Sequence, residues 1–200
     1  RISLTLEEEL LDKICRIAVG KGSYNAACIR YIDAGTTPPC LRMVAGKGLQ
    51  EGISDRNREV TRIHKPAEKA LARKEAVVVK RTDYGPGFEN RAHSMMHDGI
   101  QASLTLPLFM RDKNLGVFEL FSNLPDPFDD QEIELLTRLS EDLSFGIKVQ
   151  REYAKSKSYH EKIHRLAFYD SLTGLPNRKH LMMTLDNVIN DGEDLRTSAT

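Results

Sequence analysis

Apolar and polar positions recur along this chain with two periods, and the switches between them lay out its elements. Leu10, Leu11, Ile14, Ile17 and Ala18 return at three- and four-residue steps. Thr5 and Glu8 stand before them at capping-box spacing, and Gly20 and Gly22 follow, so a helix is predicted from near Thr5 up to those glycines. Two strand-like runs come next, 27–33 and 40–45, around a loop holding Gly35, Pro38 and Pro39; together they predict a hairpin. Residues 59–73 are polar, with apolar returns at Val60, Ile63, Ala67, Ala70 and Leu71, and predict a short helix started or broken at Pro66. A short strand is expected at 76–79. The stretch 83–99 reads as a loop with Gly85, Pro86 and Gly87, then a helical turn or two ending at Gly99.

The clearest two-residue period lies in 100–108. Ile100, Ala102, Leu104, Leu106 and Leu108 point one way, and Gln101, Ser103 and Thr105 the other. A second strand at 115–122 follows the turn at 111–114, giving another hairpin. Asp129 and Glu132 then form a capping box after Pro127, and a long helix begins. Ile133, Leu136, Ser140, Leu143, Ile147, Gln150, Ala154, Lys157, Glu161, His164 and Phe168 alternate steps of three and four, a heptad seam. Such a helix would be about 60 Å long at ~1.5 Å per residue. Its seam is apolar at the start and polar from Gln150 to His164. A homodimer in which two such helices lie side by side is the expected way to bury it; fraying after Ile147 is the alternative.

Five strands with helices before, between and after predict an α+β fold, an antiparallel five-stranded sheet with helices on both faces followed by a long C-terminal linker helix. With 40% hydrophobic residues the chain can fill one good core. Lys plus Arg equals Asp plus Glu at 29 each, so no bulk charge points to nucleic acid or to a membrane surface. No apolar run approaches the ~18 residues of a membrane span. The first residue is Arg1 and no signal peptide is visible, so the sequence is expected to be a piece of a longer cytoplasmic protein. Cys15, Cys28 and Cys40 are odd in number and too far apart for a zinc knuckle; reduced thiols are expected.

The order of elements, with the run GIQASLTLPL, the hairpin into NLGVFELFS and the acidic helix start FDDQEIELL, resembles a GAF domain over residues 5–150. Further on, FYDSLTGLPNRKHL resembles the opening motif of GGDEF domains, the diguanylate cyclases: Asp170, Leu172, Thr173, Gly174, Leu175, Asn177 and Arg178 match. Gly174 permits a backbone geometry other residues resist, Pro176 fixes the turn, and Asn177 can start the helix expected at 180–189. The resemblance implies a GAF sensor at 5–150, a helical coiled-coil linker at 151–168, and the truncated start of a GGDEF domain at 169–200. It implies that the parent protein makes cyclic di-GMP from two GTP. The GTP and Mg sites of that family belong to the part beyond Thr200, so no catalytic residue is carried over here. Two alternatives stand beside this reading: a pure dimerisation module with an empty pocket, and a parent that also carries a phosphodiesterase domain.

In GAF domains the ligand lies on one face of the sheet, and the first and last helices cover the other. Gln101, Ser103 and Thr105 are therefore expected to face the pocket. On the next strand Glu119 shares a face with Val117 and Phe121. A carboxylate inside an apolar strand needs a partner when buried. Arg30 or Arg42, on the strands the family order places beyond it, are the candidates, or a cationic group of a ligand. The sequence identifies no cofactor and no metal; the expected occupant is an unknown small molecule. His93 and His97, four apart, with His64 or Asp98 near, could suggest a metal or haem, but solvated or half-buried histidines are the plainer reading. The segment His160-Glu161-Lys162-Ile163-His164 spells H-E-x-x-H, the zinc-peptidase pattern, yet it sits on a connecting helix with no cleft around it.

Overall fold

The computed structural model describes residues 6–22, 24–49, 61–83, 99–110 and 113–185. The chain separates into two compact units, 1–150 and 151–200.

The first unit begins with helix α1, Leu6–Lys21, whose first turn carries Glu7, Glu8 and Glu9 against the positive end of the helix dipole. Strands β1 (Ala26–Asp33) and β2 (Cys40–Lys47) form the expected first hairpin. A two-residue strand, β3 (Thr61–Arg62), follows, then helix α2 (Lys65–Arg73) and strand β4 (Val77–Lys80). Strands β5 (Ala102–Met110) and β6 (Lys113–Ser122) form the second hairpin. Helix α3 runs from Asp130 to Phe168 over 39 residues. Asp129 accepts the backbone N–H of Glu132 at 2.8 Å, the capping contact its sequence predicts.

All strand pairs are antiparallel, in the order β3-β2-β1-β6-β5-β4. The five expected strands are all present. The sixth, β3, is an edge rung too short to show any alternation, and the sequence gives no signal for it.

One face of the sheet carries the main core. Leu11 and Cys15 of α1 and Leu136, Leu143 and Ile147 of α3 pack on Ala27 and Ile29 of β1, Leu104, Leu106 and Leu108 of β5, and Phe118 and Leu120 of β6. Each such fully buried large side chain is worth about 1.5–3 kcal/mol of transfer free energy. Helix α2 covers part of the other face, where Ala67 and Leu71 meet Leu41 and Val117. Helices thus lie on both faces.

Two sequence readings change here. Ile100 does not share the face of Leu104; it packs with Ala26, Cys28 and Phe121 on the opposite side. Alternation holds only inside a strand, and β5 begins at Ala102, after Gly99 at a positive φ of 80°. The expected dimer seam is also altered. Leu136, Ser140, Leu143 and Ile147 are buried within the chain itself, so that part of the seam is covered by its own sheet.

In the second unit the backbone turns back tightly after α3. Asp170 accepts from the backbone N–H of Leu172 and Thr173 and from the Thr173 hydroxyl. Gly174 has φ 69°, where a side chain would be strained. Asn177 accepts from the backbone N–H of His180 at 3.0 Å and caps a helix at 178–185. Its side-chain amide also donates to the Ala167 carbonyl at 2.9 Å.

Candidate functional site

The face of the sheet away from α1 and α3 carries a buried polar cluster. It is built by register. In β1, Cys28 and Arg30 fall on this face. In β6, Glu119 lies opposite Cys28 on one side and opposite Thr105 of β5 on the other. Gly116 lets β6 approach β1 here, because a Cβ at that position would run into the Arg30 carbonyl oxygen.

Glu119 is 2% exposed and Arg30 5%. The Arg30 guanidinium stands 2.8 Å from Glu119 Oε2. His64 Nε2 stands 2.9 Å from the other oxygen, Oε1. The Cys28 thiol donates to Oε2 at 3.6 Å. Burial by itself would push the Glu119 carboxyl up, but the Arg30 charge and the His64 contact outweigh it and hold the group well below the usual carboxylate range. Burial likewise works against the Arg30 cation, and the negative charge of Glu119 beside it favours it. Cys28 is pushed up by burial, so it sits as a neutral thiol and is no nucleophile.

His64 has a second duty. Its Nδ1 accepts the backbone N–H of Ala67 at 3.4 Å, which makes it the N-cap of α2. With Nδ1 accepting, the ring proton lies on Nε2, which then donates to Glu119. Arg30 Nη1 lies 3.4 Å from that same Nε2, but both are donors, so each addresses the carboxylate rather than the other.

The residues singled out from the sequence separate into two groups. Arg30 and Glu119 meet directly. Thr105 and Ser103, both buried, are the next rungs on the same face. Gln101 precedes β5 and is half-buried; its backbone donates to Ser122 and accepts from Arg81. Arg42 is on the other side. It lies opposite Tyr31, whose hydroxyl donates to Glu7 of α1, and it pairs with Asp33. The cause is a bulge between Ile29 and Arg30. Without it, Arg42 would have faced Ile32 on the Arg30 side; one extra residue in β2 turns it over.

A cleft of about 270 Å³ opens on this face between α2 and β4, lined by Lys65, Pro66, Lys69, Val77, Val79 and Asp83. Val77 and Val79 lie opposite Thr105 and Ser103, so the cleft neighbours the polar cluster. His64 was missed from the sequence as a partner for Glu119. The signal was there: it directly precedes Lys65-Pro66, and proline favours the first turn of a helix.

Among the described residues no group of three or more His, Cys, Asp or Glu is placed to hold a metal. His93, His97 and Asp98 lie outside the described residues. His160, Glu161 and His164 are exposed on α3; His160 contacts the Ser156 carbonyl at 2.9 Å and His164 lies against the Phe168 ring at a tilt of 48°. No described helix is long and apolar enough to cross a membrane.

A family model described as GAF domain matches residues 5–148. Among solved structures, a domain of a protein described as a two-component sensor histidine kinase from Sinorhizobium meliloti superposes with TM-score 0.59 at 22% identity, covering 77% of this chain and 99% of that one. The GAF domain of an Acinetobacter phosphoenolpyruvate-protein phosphotransferase gives 0.58 at 17%, covering 77% and 89%. The free methionine-R-sulfoxide reductase of Neisseria meningitidis, in complex with its substrate, gives 0.60 at 16%, covering 76% and 83%. At these identities the likeness is one of fold. No curated protein matches the chain.

Proposed function

Because this chain belongs to the GAF domain family, we propose that residues 5–150 receive a small-molecule ligand on the sheet face that carries Arg30, Glu119 and His64. The carrying observation is the buried, charged cluster beside an open cleft: a carboxylate held ionised where burial opposes it. Gln101, Ser103 and Thr105 complete the polar lining in this reading, with Ser103 and Thr105 supplying hydroxyls. Residues 151–168 then act as a helical linker in a homodimer, and residues 169–200 open a GGDEF domain. The ordered Asp170–Thr173 turn and Gly174 at positive φ support that last step, since they give the DSLTGLPNR segment a definite shape. In the parent protein the ligand would regulate cyclic di-GMP synthesis from two GTP.

One observation favours a plainer role for the cluster. Arg30, His64 and Cys28 all address Glu119, so its carboxylate is satisfied without a ligand. A pure dimerisation module would need nothing more.

Native mass spectrometry of the chain purified from cells separates the two. The sensor reading expects a bound mass that disappears in the double variant Arg30→Met, Glu119→Leu, which removes the charges as a pair and keeps the core filled. Bare chains, or a mass retained in the double variant, would turn the cluster into a structural ion pair. The cyclase half is tested apart, by assaying the parent protein for cyclic di-GMP; an inactive parent overturns it.

A further inference from the structure

His64 makes its two contacts with a single ring proton, and that decides where a second proton must go. Nε2 carries the hydrogen and stands 2.9 Å from Glu119 Oε1. Nδ1 accepts the backbone N–H of Ala67 at 3.4 Å. An imidazole takes its second proton on the nitrogen that bears none. In this ring that nitrogen is the cap of α2. The side chain is 34% exposed, so water reaches it while the fold stays closed.

Protonation therefore acts on the two contacts in opposite directions. Nε2–H now donates to Glu119 from a cation, and the contact becomes a full ion pair. Nδ1–H faces the Ala67 N–H, donor against donor, and the cap is lost. The ring cannot turn to rescue the cap without giving up a buried carboxylate. What yields is the first turn of α2. Pro66 brings no N–H to that turn, and the Glu68 N–H already bonds to the His64 carbonyl at 2.9 Å. Ala67 is fully buried, so its N–H finds water only if the turn opens.

The charged and titratable groups on the elements around the ring are few. Glu119 of β6 attracts the imidazolium. Arg30 of β1, with Nη1 3.4 Å from Nε2, repels it, and the neutral Cys28 thiol does neither. Arg62 of β3 and Lys65, Glu68 and Lys69 of α2 are exposed, where water and salt screen them. β2 presents the apolar Leu41 to this face.

We propose that His64 is a proton-operated latch on α2. With one ring proton it ties the helix to the sheet; with two it stays on the sheet and lets the first turn of the helix go. Lys65, Pro66 and Lys69 at that end of α2 line the cleft, and Val77 and Val79 on its far wall belong to the sheet. One wall is thus released by acid and the other is fixed. The latch itself needs no ligand; its control of ligand entry rests on the sensor reading above.

Nuclear magnetic resonance of the ligand-free chain tests the latch from about pH 8 to about pH 5, the range in which histidine changes charge. Ring nitrogen shifts should show the neutral His64 protonated at Nε2. As the second proton binds, amide exchange at Ala67, corrected for intrinsic rates, should speed up about five- to tenfold, with the core amides of β5 unchanged. His64→Asn keeps a cap that does not titrate, and its corrected Ala67 exchange should stay level across the range. The latch is overturned by a neutral ring protonated at Nδ1, by a ring that takes no second proton in this range, or by an Ala67 amide indifferent to the titration. An asparagine variant with an undiminished pH response overturns it too. A chain that never carries a bound mass would end the sensor reading and leave these results as they are.

Discussion

His64 Nε2 lies 2.9 Å from Glu119 Oε1 while the other nitrogen of the same ring caps α2. A single imidazole thus ties a buried carboxylate in the centre of the sheet to the start of the helix that covers it. Sheet face and helix terminus are held by one side chain that is itself a third exposed, at 34%.

Replacing His64 with Ala removes both contacts. The cap is worth about 1 kcal/mol and the hydrogen bond to a charged group about 1.5–3 kcal/mol, so a loss of about 2–4 kcal/mol is expected. His64→Asn keeps a good capping side chain and should recover about 1 kcal/mol of it. Urea denaturation of the three proteins measures this; equal stability of Ala and Asn variants would mean that the cap contributes nothing.

Removing one member of the Arg30–Glu119 pair should cost far more than removing both. Arg30→Met or Glu119→Leu each strands a buried charge, at about 3–5 kcal/mol. The double variant should come back to within about 1–2 kcal/mol of the parent, because desolvation and attraction are lost together. The pair also sets an acid limb. The folded-state carboxyl lies below its ordinary value of 4.5. Its contribution is therefore full above that value in the unfolded chain and is lost as pH falls below it toward the lowered folded value. Chemical denaturation between pH 7 and pH 3 should show a falling stability that flattens in the double variant.

Arg42 offers the contrasting case. Its side chain is 55% exposed in its pair with Asp33, and such surface pairs are worth about 0–1 kcal/mol. Arg42→Ala should lower stability by less than about 1 kcal/mol, and any bound mass should survive it. Loss of the ligand in this variant would place Arg42 in the site despite its face.

These cases show what the sequence could and could not carry. Period and capping residues specified α1, both hairpins and the start of α3, since each is a local pattern repeated several times. Glu119 announced its need for a partner because a charge inside an apolar strand is a conflict visible in one dimension. Arg30 against Arg42 was not decidable, because one extra residue in β2, opposite the step from Ile29 to Arg30, chooses the face, and no residue there advertises a bulge. His64 was hidden by its role, a cap acting across 55 residues of chain on Glu119. The seam on α3 was harder still, because only the position of the sheet tells that Leu136, Leu143 and Ile147 are already used inside the chain.

The turn after α3 makes the last prediction. The Asp170 carboxylate receives two backbone N–H groups and one hydroxyl within its own turn, from Leu172 and Thr173. The backbone donor of Thr173 does most to hold the carboxyl below its ordinary value, with the Thr173 hydroxyl and the Leu172 amide adding to it. The turn's order is therefore complete above the unfolded carboxyl's pKa and loosens as pH drops below it. Asp170→Ala leaves those donors to water at any pH, and Asp170→Asn keeps the acceptor without the charge. Amide exchange at Leu172 and Thr173 should speed up most in the alanine variant and partly in the asparagine one, after correction for intrinsic rates, with core amides of β5 unchanged. Unaltered exchange in both variants would mean that the backbone pairing of Tyr169 with Pro176 and the Asn177 cap hold the turn without Asp170.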